Sequence, residues 1–221
     1  MKIMEHNLIP GYYPILSTGL GYYLDKTPTN VLSELKLQVD KLKHDFNLGE
    51  KYNDLLAGEI EHEYGLEVKP NLQNYIKDLS YRLEEETGWM DSLLNIDYQL
   101  PKSPSLSLSQ LWVNFQKKYE YNPIHNHTGV FSFVIWYKVP FLISNERSQY
   151  GHKSQEHKIS HGNFSFLFTH PLGGIIQHNI PADKNAEGMI VIFPSKLHHC
   201  VYPFYTSDEY RISIAGNVLL H

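Results

Sequence analysis

Two histidine spacings in this chain could do chemistry. The first is His125-Asn126-His127. Residues i and i+2 of an extended segment project to the same face, so both imidazoles can reach one metal ion without distorting the backbone. The second is Phe193-Pro194-Ser195-Lys196-Leu197-His198-His199-Cys200-Val201, where a histidine pair follows an apolar strand that ends at proline. Adjacent residues of an extended chain point opposite ways, so at most one of His198 and His199 is expected as a ligand. Three ligands on one side of an ion leave the opposite positions open for substrate and oxygen. A third group, Arg211-Ile212-Ser213 followed by Asn217, places a guanidinium and a hydroxyl on one face, a pairing suited to holding a carboxylate. Plainer readings stand beside these: a chance triplet in a chain with 13 histidines, a solvent-exposed turn, and a surface arginine.

The elements that would position these residues fall into two parts. Residues 1 to 28 are rich in Gly, Pro and Tyr without a clear period and predict irregular structure or an edge strand. From Asn30 to about Phe46, Leu32, Leu35, Val39, Leu42 and Phe46 recur at three and four residues, with Thr29 or Asn30 as a candidate N-cap. A second helical pattern, Leu72, Ile76, Leu79 and Leu83, opens after Pro70 and Asn71 and closes near Gly88. From about residue 94 the period changes to two. Strands are predicted at 95–100, 111–116, 130–138, 163–168, 175–180, 188–193 and 210–218. No long helix interrupts them, so antiparallel pairing in a sandwich or jelly roll is expected, with both helices on one face. Residues 144–162 read as one long polar loop, a lid or a flexible excursion. The chain divides into an irregular and helical region, 1–93, packed on a core, 94–221, as one structural unit.

Composition narrows the function classes. The 221 residues are 42% hydrophobic and 19% charged, which sets aside intrinsic disorder and coiled coil. A formal charge of -5 offers no general attraction to phosphate backbones or anionic lipid. The single cysteine, Cys200, cannot form an internal disulfide and reads as a buried small residue. With no apolar stretch long enough for a signal peptide or membrane span, a soluble protein of a reducing compartment, the cytoplasm, is expected.

The segments WVNFQKKYEYNPIHNHTGVFSF, GNFSFLFTHPLGG, EGMIVIFPSKLHHCVYPFYTSDEY and RISIAGNV, from Trp112 to Asn217, resemble the viral and bacterial branch of the 2-oxoglutarate and Fe(II) dependent oxygenase family. The resemblance implies a double-stranded β-helix, a form of jelly roll with a cupin-like core. In that family a His-X-Asp motif and a distal histidine bind iron, and an Arg or Lys on the final strands binds the far carboxylate of 2-oxoglutarate. Carried onto this sequence, the metal ligands are His125, His127 and His199. Arg211 and Ser213 anchor the co-substrate, with Asn114 and Asn217 as further hydrogen-bond candidates. The implied cofactors are Fe(II) and 2-oxoglutarate. The implied reaction hydroxylates an unactivated C–H bond and releases succinate and carbon dioxide.

Position 127 departs from the pattern: it is His where the family usually has Asp. A three-His site is one unit more positive, which changes its affinity for an anionic co-substrate. Glu120 is one alternative source of a carboxylate. Two other functions therefore stay open, a three-His iron dioxygenase that does not use 2-oxoglutarate and a metal-free jelly roll used for binding or assembly. Trp112 is placed at the border of the site or over a sheet edge. Phe131, Phe133, Trp136, Phe164, Phe166, Phe168 and Phe193 are assigned to the core, and His152, His157 and His161 to the solvent-exposed loop. The substrate class, a small molecule or a protein side chain, is not legible in the sequence, and oligomerisation through the 32–46 stripe is an alternative to core packing.

Overall fold

The computed structural model describes residues 8–15, 20–90, 105–150 and 160–221. Helix α1 (Thr29–His44) buries Val31, Leu35, Val39 and Leu42, one stripe of a 3.6-residue period. Helix α2 (Pro70–Thr87) buries Leu72, Ile76, Leu79 and Leu83. Pro70 opens it where a missing N–H is harmless, and Gly88 closes it at a φ of 57°, a left-handed turn that side chains disfavour. The capping role expected of Thr29 or Asn30 is absent. Pro28 takes that position without a side-chain hydrogen bond, because the chain arrives from a strand and proline fixes its φ. Glu34 of α1 instead accepts from the backbone N–H of Leu72 at 3.1 Å and from Asn71 Nδ2 at 2.7 Å, so one helix caps the next.

Eleven strands are described: β1 (Gly11–Ile15), β2 (Leu20–Lys26), β3 (His62–Gly65), β4 (Leu106–Gln116), β5 (Asn122–His125), β6 (Phe131–Lys138), β7 (Phe164–Thr169), β8 (Ile175–Ile180), β9 (Met189–Pro194), β10 (His198–Val201) and β11 (Arg211–Leu220). They form a seven-stranded sheet in the order β1-β2-β9-β6-β11-β4-β3 and a four-stranded sheet in the order β5-β10-β7-β8. The pairings are antiparallel, as expected where no crossover helix joins the strands.

Alternation along the central strands divides the interior in two. Leu111, Val113 and Phe115 of β4, Phe133 and Ile135 of β6, Ile190 and Ile192 of β9, and Ile212 and Ile214 of β11 pack against both helices. The opposite face presents Val134, Trp136, Val191 and Phe193 to Phe164 and Phe166 of the small sheet. Each such fully buried side chain contributes about 1.5–3 kcal/mol. The large sheet is thus covered by helices on one side and by the small sheet on the other, the sandwich of a double-stranded β-helix.

Several expectations need correction. The polar stretch expected as a loop from 144 begins as helix α3 (Ile143–Tyr150). Its Glu146 is fully buried and accepts from the backbone N–H groups of Tyr205 and Thr206 at 2.8 and 2.9 Å. A tertiary contact holds that helix, which its own composition does not show. Strands β3, β5 and β10 have four residues each, too few for a period of two to register. Region 1–93 supplies β1, β2 and β3 to the large sheet besides its helices. The strand expected at 95–100 and the residues His152 and His157 lie outside the described residues. Among the described residues no helix is long and apolar enough to cross a membrane.

Gly216 lies on the central strand β11, where a Cβ would stand 2.5 Å from the carbonyl oxygen of Gln110 and 2.8 Å from Phe133 Cε1. Gly216→Ala is expected to destabilise the fold by about 1–3 kcal/mol through overpacking. In urea unfolding the midpoint falls while the slope is unchanged.

Candidate metal centre

Strand β5 ends on His125, whose register partner on β10 is His199. Opposed residues of an antiparallel pair project to one face, so both imidazoles point toward the large sheet. His127 follows two residues later, its backbone N–H donating to the Ser195 carbonyl at 2.9 Å. The chain then turns at Gly129, with φ at 88°. A Cβ there would stand 2.6 Å from the Val218 carbonyl oxygen, so only glycine lets the segment bend back into β6. His198 points the other way, exposed, with Nε2 at 3.2 Å from Asn126. The three predicted ligands are therefore brought together and His198 is left out, as strand alternation requires.

Ring nitrogens of His125, His127 and His199 all lie within 4.8 Å of one another. Nε2 of His127 and Nε2 of His199 are 3.2 Å apart. Metal–nitrogen bonds of about 2.1 Å bring adjacent ligand nitrogens to about 3 Å, so the spacing fits a shared ion. His125 Nδ1 lies 2.7 Å from the Pro123 carbonyl and His199 Nδ1 lies 3.0 Å from the Leu197 carbonyl. A carbonyl only accepts, so each Nδ1 carries the proton and each Nε2 keeps its lone pair. Such contacts orient metal-binding histidines. Burial is the first cause that lowers all three imidazole pKa values: His125 below the usual range, His127 to about 3 and His199 well below its ordinary value. Like charge among the rings adds to it. The rings are held in the neutral form that binds metal.

Against these rings lies a cavity of about 150 Å³, lined by Trp112, Asn114, Asn122, Phe164 and Ser213 among others. Trp112 thus borders the site, its ring 5.7 Å from that of His127. Phe164, assigned to the core, also stacks on His199 at 5.4 Å. Asn114 Oδ1 is buried without a hydrogen-bond partner among the described residues.

Arg211 is buried beside the cavity rather than lining it. Its Nε and Nη2 donate to Gln116 Oε1 at 3.0 and 2.7 Å, Nη1 to the Gly162 carbonyl at 2.8 Å, and Nη2 also to the Tyr202 carbonyl at 2.9 Å. Desolvation lowers its pKa to about 9, and Glu146 opposes that shift. The plain surface-arginine reading is excluded. Asn217 is not brought to the site: Oδ1 accepts from Ser132 at 2.8 Å and Nδ2 donates to Gln110 at 2.7 Å. Asn217 stands directly between Gln110 and Ser132 in register, which lets that pairing form. Glu120 supplies no carboxylate to the histidines, since its oxygens accept from the backbone N–H groups of Lys117 at 2.6 Å and Glu61 at 3.1 Å. His161 is half-buried against Tyr205 rather than exposed.

Sequence reasoning missed Gln116, Asn122 and the Leu55-Leu56-Ala57 wall of the cavity. Gln116 had a signal, since it shares the face of Trp112 and Asn114 and lies opposite Arg211 in register. The wall had none, because a short turn far away in sequence forms it.

One divalent ion per chain is expected to bind, read with Zn(II) or anaerobic Fe(II) by calorimetry. At a free concentration of 100 times Kd the ion stabilises the fold by about 2.7 kcal/mol. His199→Ala abolishes that stabilisation, whereas His198→Ala keeps it.

A family model described as "Putative 2OG-Fe(II) oxygenase" matches residues 110–217. The span holds all three histidines, Arg211 and Ser213. No curated protein matches. Among solved structures, a prolyl-4-hydroxylase from Pseudomonas putida is similar with a TM-score of 0.50 at 12% identity, covering 88% of this chain and 90% of that one. An oxidoreductase of the 2OG-Fe(II) oxygenase family from Burkholderia pseudomallei gives a TM-score of 0.43 at 15% identity, with 90% and 84% covered. The first likeness speaks to the fold alone. The family implies Fe(II) and 2-oxoglutarate, and three neutral imidazoles are donors that suit this metal. Residues 110–217, just under half of the chain, are thus similar to the 2-oxoglutarate and Fe(II) dependent oxygenases, an oxidoreductase family.

Proposed function

We propose that the chain couples oxidative decarboxylation of 2-oxoglutarate to hydroxylation of an unactivated C–H bond, with release of succinate and carbon dioxide. The observation that carries this reading is the convergence of three neutral imidazoles on a cavity whose far wall is β11, with Ser213 on the wall and the Arg211 guanidinium buried two residues along the same face. Fe(II), when bound, supplies the activation of dioxygen and of the keto acid. The protein's own share is binding, orientation and exclusion of water.

His125, His127 and His199 hold the ion through their converging ring nitrogens. Ser213 and Asn114 face each other in register across β11 and β4 and offer polar groups to the co-substrate. Arg211 donates only to neutral oxygens of Gln116, Gly162 and Tyr202. A desolvated cation without a directly bonded anion favours an anionic ligand beside it, and the distal carboxylate of 2-oxoglutarate supplies one. Trp112, Val134 and Phe164 supply apolar lining to the cavity. Residues 94–221 carry the catalytic core in this reading, and region 1–93 closes it through Leu55, Leu56 and Ala57.

A second reading, a three-His iron dioxygenase without 2-oxoglutarate, has one observation in its favour: no carboxylate joins the histidine group among the described residues. The two part at Arg211 and Ser213. Added anaerobically to Fe(II)-loaded protein, 2-oxoglutarate is expected to give the weak visible charge-transfer band of a chelated keto acid. Arg211→Ala is expected to lose the band and 2-oxoglutarate turnover while iron still binds. Because that variant leaves Gln116 Oε1 without its donors, Ser213→Ala serves as a milder probe, weakening 2-oxoglutarate binding by about tenfold at most. Iron binding without the band in the wild type would move the second reading ahead.

A further inference from the structure

One step along the strands from the histidines, register places Glu63, Asn114 and Ser213 in a row across β3, β4 and β11. On the facing sheet Asn122 lies opposite Val201, next to the Tyr202 whose carbonyl holds Arg211. Asn114, Asn122 and Ser213 line the cavity. Glu63 stands outside that lining and has no exposed surface.

Four side-chain oxygens here have no donor: Asn53 Oδ1, Asn114 Oδ1, Glu63 Oε1 and Asn122 Oδ1. Glu63 Oε1 and Asn122 Oδ1 are both buried without a hydrogen-bond partner among the described residues. They are neighbours: a Cβ on Gly58 would stand 2.6 Å from the first and 3.1 Å from the second, so glycine at 58 leaves the space they share. The other Glu63 oxygen has only a long contact, 3.4 Å, with Asn53 Nδ2. Two acceptor oxygens that border one buried space both go without a donor unless one carries a proton, and a carboxyl can carry it where a carboxamide oxygen does not. Burial first, and then the charge of Glu120, push the Glu63 pKa up to about 7.

We propose that Glu63 is held as a neutral acid donating to Asn122 Oδ1, which turns the Asn122 N–H groups into the cavity to donate to a carboxylate oxygen of the bound oxo-acid. Glu63 is then a positioning residue and Asn122 a binding residue. The identity of the ligand rests on the oxygenase reading; the proton on Glu63 does not.

The charged groups around Glu63 fix the sign of its pH response. Glu120 faces it from the β4–β5 turn, and Glu61 and His62 precede it on its own segment, with Glu61 paired to Lys117 at 2.8 Å. Lys51 comes from the segment bridged to Tyr64. As pH rises through about 7 the acid ionises, the hydrogen bond to Asn122 is lost, and an anion stands behind the one being bound. Affinity for the oxo-acid therefore falls with rising pH.

The test has two arms. Infrared difference spectra of metal-free wild type against Glu63→Gln should show the carbonyl stretch of a neutral carboxylic acid at pH 6 that disappears through neutrality. In the second arm, Zn(II)-loaded protein is titrated with 2-oxoglutarate. Asn122→Ala and Glu63→Leu are expected to weaken binding by about tenfold. Glu63→Gln, which keeps a donor at every pH, should stay within about twofold of wild type at pH 6 and remove the loss at higher pH. An ionised carboxylate at pH 6 would overturn the proposal, because Asn122 would then donate to Glu63 and turn its oxygen to the cavity. Unchanged affinity in Asn122→Ala would overturn it as well. Wild type that takes zinc but no 2-oxoglutarate would sink the oxygenase reading and this ligand together, while the infrared arm still decides the proton on Glu63.

Discussion

The site depends on the register of β10 between β5 and β7. Opposing His199 to His125 and to Phe166 sends His199 inward and His198 outward. A slip of one residue would exchange them, turning His199 to solvent and His198 inward. β10 has only four residues, so its own hydrogen bonds do not secure that register alone. The packing of His199 against Phe164 and Phe193, at ring distances of 5.4 and 4.8 Å, adds to them.

A sandwich this apolar needs its interior polar groups joined into satisfied networks. Arg211 ties β11 to β4 through Gln116, to the turn at Gly162 and to the chain leaving β10 at Tyr202. Glu146 holds the same connection from the other side through the backbone of Tyr205 and Thr206. The segment between the distal histidine and the last strand is therefore fastened at both ends by buried charges of opposite sign. Removing either would orphan several partners at once, and with Arg211 so held β11 enters the sheet with Ser213 facing the cavity.

Much of this was legible where periodicity was long. The stripes of α1 and α2 and the alternation of β4, β6, β9 and β11 follow from side-chain patterns alone; strand parity pairs His125 with His127 but leaves His198 and His199 open, and it is the family resemblance that selects His199. The missing parts were set by distance in the fold. Glu146 reads as a loop residue because only Tyr205 and Thr206, some sixty positions away, explain its burial. Asn217 was a site candidate through the family resemblance, yet Ser132 and Gln110 engage it. Glu63 gave no signal, since a single carboxylate in a four-residue strand has no pattern to belong to.

The three-His composition and the surrounding charges make one consistent arrangement. Exchanging a carboxylate ligand for neutral imidazole leaves the metal's charge less compensated by one unit, so the centre attracts an anionic ligand more strongly. In the proposed reading Arg211, buried beside the cavity and donating only to neutral oxygens, adds to the same attraction. An ionised Glu63 behind Asn114 and Asn122 would oppose both, at a place where low dielectric magnifies the repulsion. The burial that pushes the Glu63 pKa up to about 7 and the burial that keeps the histidines neutral act in the same direction: both reduce the negative charge of the interior and leave it for the bound molecule to bring.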